Sequence, residues 1–272
     1  MPRHSLFPRR LKLVNLLVAG AVISLFCLTA LQAQTVSLSL SDNLVVLTDQ
    51  QRSAALELVN LGDDLLEFNL TASEQANGKL RDGTTIIRWA PERALVQPHR
   101  AVPMRVSSRV LPDMPPGEYV FKAFVKTTPH EAEKRAPTQE KPGEAMSSSL
   151  SVSVAVSPSL PITVYVRHKI PPNMLEASAF VTTPEDARYI GYFPVKKRVP
   201  LQSFVGRVQA IDKLTSAVLN EGRLHLPPSD AIIDTNNVRI MRTADNSKTT
   251  GPYCLRVWDT FPASGPPVQE FC

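Results

Sequence analysis

Hydrophobic and polar positions alternate in short runs along the chain, and turn signals separate the runs. The first, "TVSLSLSDNLVVLTD", alternates at Val36, Leu38 and Leu40 and then runs apolar from Leu44 to Leu47. It predicts a strand with an irregularity near "SDN". "SAALELVNLGDD" sets Leu56 and Leu58 on one face and ends at Asn60 in a turn, and "LLEFNLTASE" follows as a returning strand. "IIRWAP" is short and stops at Pro91, whereas "VPMRVSSRVL" is a longer strand broken by "PDMPPG". "EYVFKAFVKT" alternates Tyr119, Phe121, Ala123 and Val125. The most regular run spans Leu150 to Val166 and opens with Leu150, Val152, Val154 and Val156 on one face. About seven strands at roughly twelve-residue spacing predict an Ig-like β-sandwich.

The rest of the chain changes period little. "HKIPPNM" reads as a linker, and "EASAFVTT", "GYFPVKKRVPLQSFVGRVQAID", "AVLNEGRLHL", "NVRIMRT" and "YCLRVWDTF" read as further short strands, with Trp258 and Phe261 assigned to a second core. The predicted fold is all-β: an N-terminal Ig-like sandwich over 34–168, then a smaller β domain over 169–272. Tyr119, just after Pro116 and Gly117, suits either a core aromatic or a hydroxyl tie to the preceding corner. Residues 129–148 carry charges, Pro137, Pro142 and Gly143 with almost no large apolar side chain. They predict a mobile loop, a surface hairpin tip being the plain alternative.

The first 33 residues differ from everything after them. Arg3, Arg9, Arg10 and Lys12 precede the apolar stretch "LVNLLVAGAVISLFCLTAL", and "LQAQ" offers Ala33 before a cut. That order is a secretory signal peptide, with an uncleaved membrane anchor as the alternative. Loss of those four cations takes the formal charge from +5 to +1, so the basic pI belongs to the signal and is no argument for nucleic-acid binding. Of three cysteines, Cys27 leaves with the signal, and Cys254 with Cys272 reads as a disulfide worth about 3 kcal/mol. A reactive or metal-binding pair is the alternative. The 24 prolines, 11 glycines and 43% hydrophobic content fit β structure with loops and a buried core.

Catalytic motifs are absent from the sequence. His99, His130, His168 and His225 stand at no metal-ligand spacing, and there is no Gly-rich phosphate loop or serine elbow. The pairs Asp63/Asp64 and Glu185/Asp186 sit in turns as solvated acids, and "VKKRV" reads as a solvated edge before a binding patch. "NLT" at Asn69 matches a glycosylation sequon, a tripeptide common by chance. No enzyme, cofactor, metal, nucleic-acid partner or small-molecule substrate is expected.

The order of features has a family likeness. A signal leads to "VSLSLSDNLVVLTDQQRSAALELVNLG", then "VQPHRAVPMRV", "PPGEYVFKAFVKTTP", a charged loop and "LSVSVAVSPSLPITVYVRH". Over about residues 34–168 this resembles the periplasmic pilus-assembly chaperones of chaperone–usher systems, the PapD-like family. The second half matches weakly and lacks the family's Asn-Pro-Thr-Pro-Tyr signature.

The resemblance implies a periplasmic chaperone that binds pilus or fimbrial subunits and lends an edge strand to their incomplete Ig-like folds, with an outer-membrane usher as a further partner. Carried onto this chain, Leu150, Val152, Val154 and Val156 are the donor residues, against the alternative that they pack this domain's own core. Family members hold the subunit's terminal carboxylate with two cations in the interdomain cleft. The corresponding positions are Asn43 and Thr163, neither cationic: either the register differs, or another cation such as Arg167 or Arg100 serves, or this protein binds its partner differently. Pro158 and Pro161 confine pairing there to an edge or bulge. A second reading is an exported two-domain β protein with a structural or adhesive role at the cell surface.

Overall fold

The computed structural model describes residues 37–76, 79–81, 85–110, 114–129, 158–229, 236–243 and 251–272. The signal, most of the predicted mobile loop, and Leu150, Val152, Val154 and Val156 lie outside the described residues.

Ten strands build the first sandwich. They are β1 (Leu38–Leu40), β2 (Leu44–Thr48), β3 (Ser53–Asn60), β4 (Leu66–Ala76) and β5 (Lys79–Arg81). Then come β6 (Ile87–Ala90), β7 (Arg93–Val96), β8 (Ala101–Ser108), β9 (Gly117–Pro129) and β10 (Ser159–His168). One sheet has the order β1-β3-β8-β6; the other runs β2-β10-β9-β4-β5, with β7 also on β4. Alternation sends one side of each sheet inward. Leu47, Leu58, Phe68, Met104, Phe121 and Ile162 are almost wholly buried in that core.

The predicted irregularity at "SDN" is a change of sheet. β1 pairs antiparallel with β3, placing Leu40 opposite Leu58. After Ser41, Asp42 and Asn43 the chain resumes as β2, which pairs parallel with β10 from Leu44 opposite Thr163. The Leu44 N–H donates to Asp42 Oδ1 at 2.9 Å, an Asx-type turn that fixes the link. At the other corner the Tyr119 hydroxyl donates to the Pro115 carbonyl at 2.8 Å, while its ring packs on the core. Both roles weighed for Tyr119 are filled at once.

The second sandwich comprises β11 (Leu175–Ala177), β12 (Val181–Thr182), β13 (Tyr189–Lys197) and β14 (Phe204–Asp212). It continues through β15 (Val218–Leu226), β16 (Asn236–Met241), β17 (Tyr253–Val257) and β18 (Gln269–Phe271). β11, β12 and β16 all pair with β13 in one sheet, and the other has the order β15-β14-β17-β18. Leu175, Phe193, Phe204, Ile240 and Leu255 fill the space between. β14 needs glycine at 206, because a Cβ there would lie 2.0 Å from the Trp258 carbonyl oxygen. A disulfide joins buried Cys254 on β17 to exposed Cys272 beyond β18. Trp258 is buried, its indole N–H donating to the Gly265 carbonyl at 3.0 Å. Phe261 departs from the expectation of a core position: it is 43% exposed. The turn that follows β17 carries it out of the sandwich, toward the first domain.

Candidate functional site

β10 belongs to both domains' affairs because its two faces do different work. Leu160, Ile162, Val164 and Val166 face the first core. Thr163, Tyr165 and Arg167 face the other way, and the second sandwich covers the last two. Leu44, Tyr165 and Val205 form a small apolar cluster between the domains, flanked by Val46 and Val120.

Below that cluster sits a buried ion pair. The Arg167 Nε donates to Glu118 Oε2 at 2.9 Å, and both side chains are 3% exposed. Ser203 joins them: its N–H donates to Glu118 Oε1 and its hydroxyl to Glu118 Oε2, both at 2.7 Å. Arg167 Nη2 donates to the Ser203 carbonyl at 3.0 Å and hydroxyl at 3.2 Å. Such a pair is tolerated in the interior when further hydrogen bonds satisfy it, and Ser203 supplies them to both carboxylate oxygens and to Arg167 Nη2. The loop carrying Ser203 is itself fixed. Asn173 Nδ2 donates to the Val199 and Gln202 carbonyls, both at 2.8 Å, and the Gln202 amide donates to the Pro171 carbonyl at 2.7 Å. Arg167 is therefore an interdomain tie, and its guanidinium is not presented to the cleft as the sequence reading expected.

The start of the linker is held by Asp49. His168 Nδ1 lies 2.9 Å from Asp49 Oδ1, and the Lys169 N–H donates to Oδ2 at 2.8 Å, where Lys169 takes a positive φ of 52°. The His168 hydrogen bond, and then the Lys169 N–H, hold the Asp49 carboxyl below its ordinary pKa.

Beyond Tyr165 the domains part into a cleft of about 590 Å³. Its apolar lining comes from Leu38, Leu40, Leu160, Pro161 and Phe261. Asn43 and Thr163 meet at its inner end, where the Thr163 N–H donates to the Asn43 carbonyl at 2.8 Å. Neither is cationic, but two cations stand beside them. Lys122 lies opposite Thr163 across the β9–β10 ladder, and its Nζ donates to Thr163 Oγ1 at 2.8 Å. Arg223, on β15 of the second domain, pairs with Asp42 and reaches Asn43 Oδ1 at 3.4 Å. Its guanidinium also lies 5.5 Å from the centre of the Phe261 ring. Next to it, His225 Nε2 is 2.9 Å from the Tyr165 hydroxyl. Burial, then Arg223 and Lys122, hold the His225 imidazole below its ordinary pKa. Arg100 sits elsewhere, exposed in the turn before β8, where its carbonyl accepts the Asn60 N–H.

The β10 edge is open along this cleft. The Thr163 N–H points toward β2, so by alternation the Pro161 nitrogen points the same way, away from β9. β2 begins only at Leu44, opposite Thr163. Among the described residues, Ser159 to Ile162 pair with β9 on one side and with no strand on the other. The proline thus removes a donor where no partner strand needs it.

Sequence reasoning missed Lys122, Glu118 and Arg223, and it assigned Phe261 to the second core instead of the cleft. Glu118 and Lys122 alternate on the polar face of β9, the ordinary signature of solvated side chains. Only the strand register and the second domain give them partners.

No family model and no curated protein matches the chain by sequence. Solved structures of pilus chaperones are similar to it. The E. coli chaperone DraB is 13% identical, with 88% of this chain and 98% of that chain covered and a TM-score of 0.45. The Salmonella enterica SafA pilin in complex with the SafB chaperone gives 14% identity, 88% and 96% coverage and a TM-score of 0.44. The Acinetobacter baumannii CsuC–CsuE chaperone–tip adhesion subunit complex gives 12%, 77% and 91%, with a TM-score of 0.38.

Proposed function

We propose that the protein is an exported, periplasmic chaperone that stabilises pilus or fimbrial subunits by pairing the open edge of β10 with an incomplete Ig-like fold. The observation that carries this reading is the length mismatch between β10 and β2. It leaves the Ser159 N–H and the Ser159 and Pro161 carbonyls, on the side away from β9, facing a cleft instead of a strand. An extended chain added there gains main-chain hydrogen bonds, and alternate side chains supply specificity.

The row Leu150, Val152, Val154 and Val156 precedes this edge and shares its sequence parity with Leu160 and Ile162. In this proposal the row enters the groove of the client, where each fully buried side chain contributes roughly 1.5–3 kcal/mol. A client strand parallel to β10 ends where β2 begins, at Asn43 and Thr163. Lys122 supplies the positive charge there that neither residue carries, and a charge-assisted bond to a terminal carboxylate is about twice as strong as a neutral one.

Replacing Val152 and Val154 together by Asp is expected to abolish capture of a co-expressed small secreted subunit, read as a one-to-one complex by size-exclusion chromatography. The circular dichroism spectrum stays that of the unaltered protein. A double variant that unfolds assigns the valines to the core and ends the donor-strand reading. Recovery of the chain in surface fibres, with no subunit complex, supports a structural or adhesive role instead.

A further inference from the structure

We infer that the second cation of the cleft, beside Lys122, is self-occupied: the Asp42 carboxylate holds the Arg223 guanidinium in place of the terminal carboxylate of an added strand, and is displaced when one binds. This rests on the strand-addition reading and goes beyond it by naming an internal competitor.

Asp42 lies in the link between β1 and β2, at the point where the β10 edge stops being open. A chain end arriving along that edge meets the same place. The Leu44 N–H bonds Asp42 Oδ1, so the backbone aims the carboxylate at the cleft. Arg223 reaches it from the second domain, while its guanidinium also lies over Phe261. The two paired side chains are 28% and 29% exposed, so water and another anion can reach the pair. When Arg223 leaves, Asp42 keeps the Leu44 N–H and regains water, so the exchange leaves no buried orphan charge. The incoming carboxylate takes over a partner that also ties the domains together. Binding therefore trades a contact within the molecule for one with the ligand, and the affinity reports the difference between the two.

The probe is a synthetic hexapeptide, acetyl-Thr-Val-Thr-Val-Thr-Val, made with a free C-terminal carboxylate and separately as the amide. Binding to the purified protein is measured by titration calorimetry at low salt. The unaltered protein is expected to prefer the acid to the amide by about two- to fivefold, the share that Lys122 supplies. Asp42→Asn is expected to bind the acid about five- to tenfold more tightly and the amide as before, and Arg223→Gln in that background removes the gain. Asp42→Ser, which keeps an acceptor for the Leu44 N–H, is expected to behave like Asp42→Asn and covers a fold defect in the first variant. High salt shrinks the gain by screening. If both peptides bind every variant and the ratio of acid to amide does not move, Asp42 is not a competitor, while the strand-addition reading stands. If neither peptide binds any variant, the strand-addition reading itself fails and this inference with it.

Discussion

At His225 the surroundings choose a protonation state before any ligand arrives. Burial, Arg223 and Lys122 all oppose the imidazolium, against which the Glu118 charge acts weakly. The neutral ring shares a hydrogen bond between Nε2 and the Tyr165 hydroxyl and joins the domains. The unfolded chain takes up this proton near pH 6.5, whereas the folded chain does so only at lower pH. Stability from this group is complete above about pH 6.5 and is lost as the pH falls through the folded value. Thermal unfolding measured from pH 7.5 to 5 is expected to show a loss that His225→Gln reduces; equal slopes in both proteins count against it. Single residues were also where the sequence was least legible. Lys122 and Thr163 are 41 positions apart and become neighbours only through the β9–β10 register. Arg167 is a cation near the expected position, but Glu118 and Ser203 consume it. Phe261 is apolar and close to Trp258 in sequence, yet the two go to opposite sides of a turn.

Elements were legible where alternation was strict. β3, β8 and β9 follow their apolar positions, and the break at "SDN" marks where one sheet gives way to the other. Neither reading needs tertiary information, because side-chain period and turn chemistry are local. The pairing partners of β2 and β10 are not local, so the open stretch of edge could not be read from the chain. Pro161 is the exception, since a proline inside a strand already implies an edge. Its position opposite Phe124 on β9 leaves only the outward donor missing. Pro161→Thr restores that donor and removes a guard against edge-to-edge association. Sedimentation velocity is expected to show concentration-dependent self-association of the variant with the fold retained; a monomer at all concentrations would remove the proline from this role.

The molecule as a whole is two sandwiches, and Ser203 of the second closes over the buried Arg167–Glu118 pair of the first. Arg167→Leu strands the Glu118 carboxylate in that interior and is expected to cost about 3–5 kcal/mol in urea denaturation. Glu118→Leu combined with Arg167→Leu is expected to cost less than the single change, because no charge is left behind. A single change costing under about 1 kcal/mol would show that water reaches the pair. The same rigid mounting gives the change of sheet at Asp42 and Asn43 a metrical meaning. From Ser159 to Ile162 the exposed edge spans about 10 Å at a strand's rise per residue, and then β2 blocks the way. A strand added as proposed would advance only to that stop. On the strand-addition reading the first domain would fix where a visiting chain ends, and moving the start of β2 by two residues would shift that point by about 7 Å.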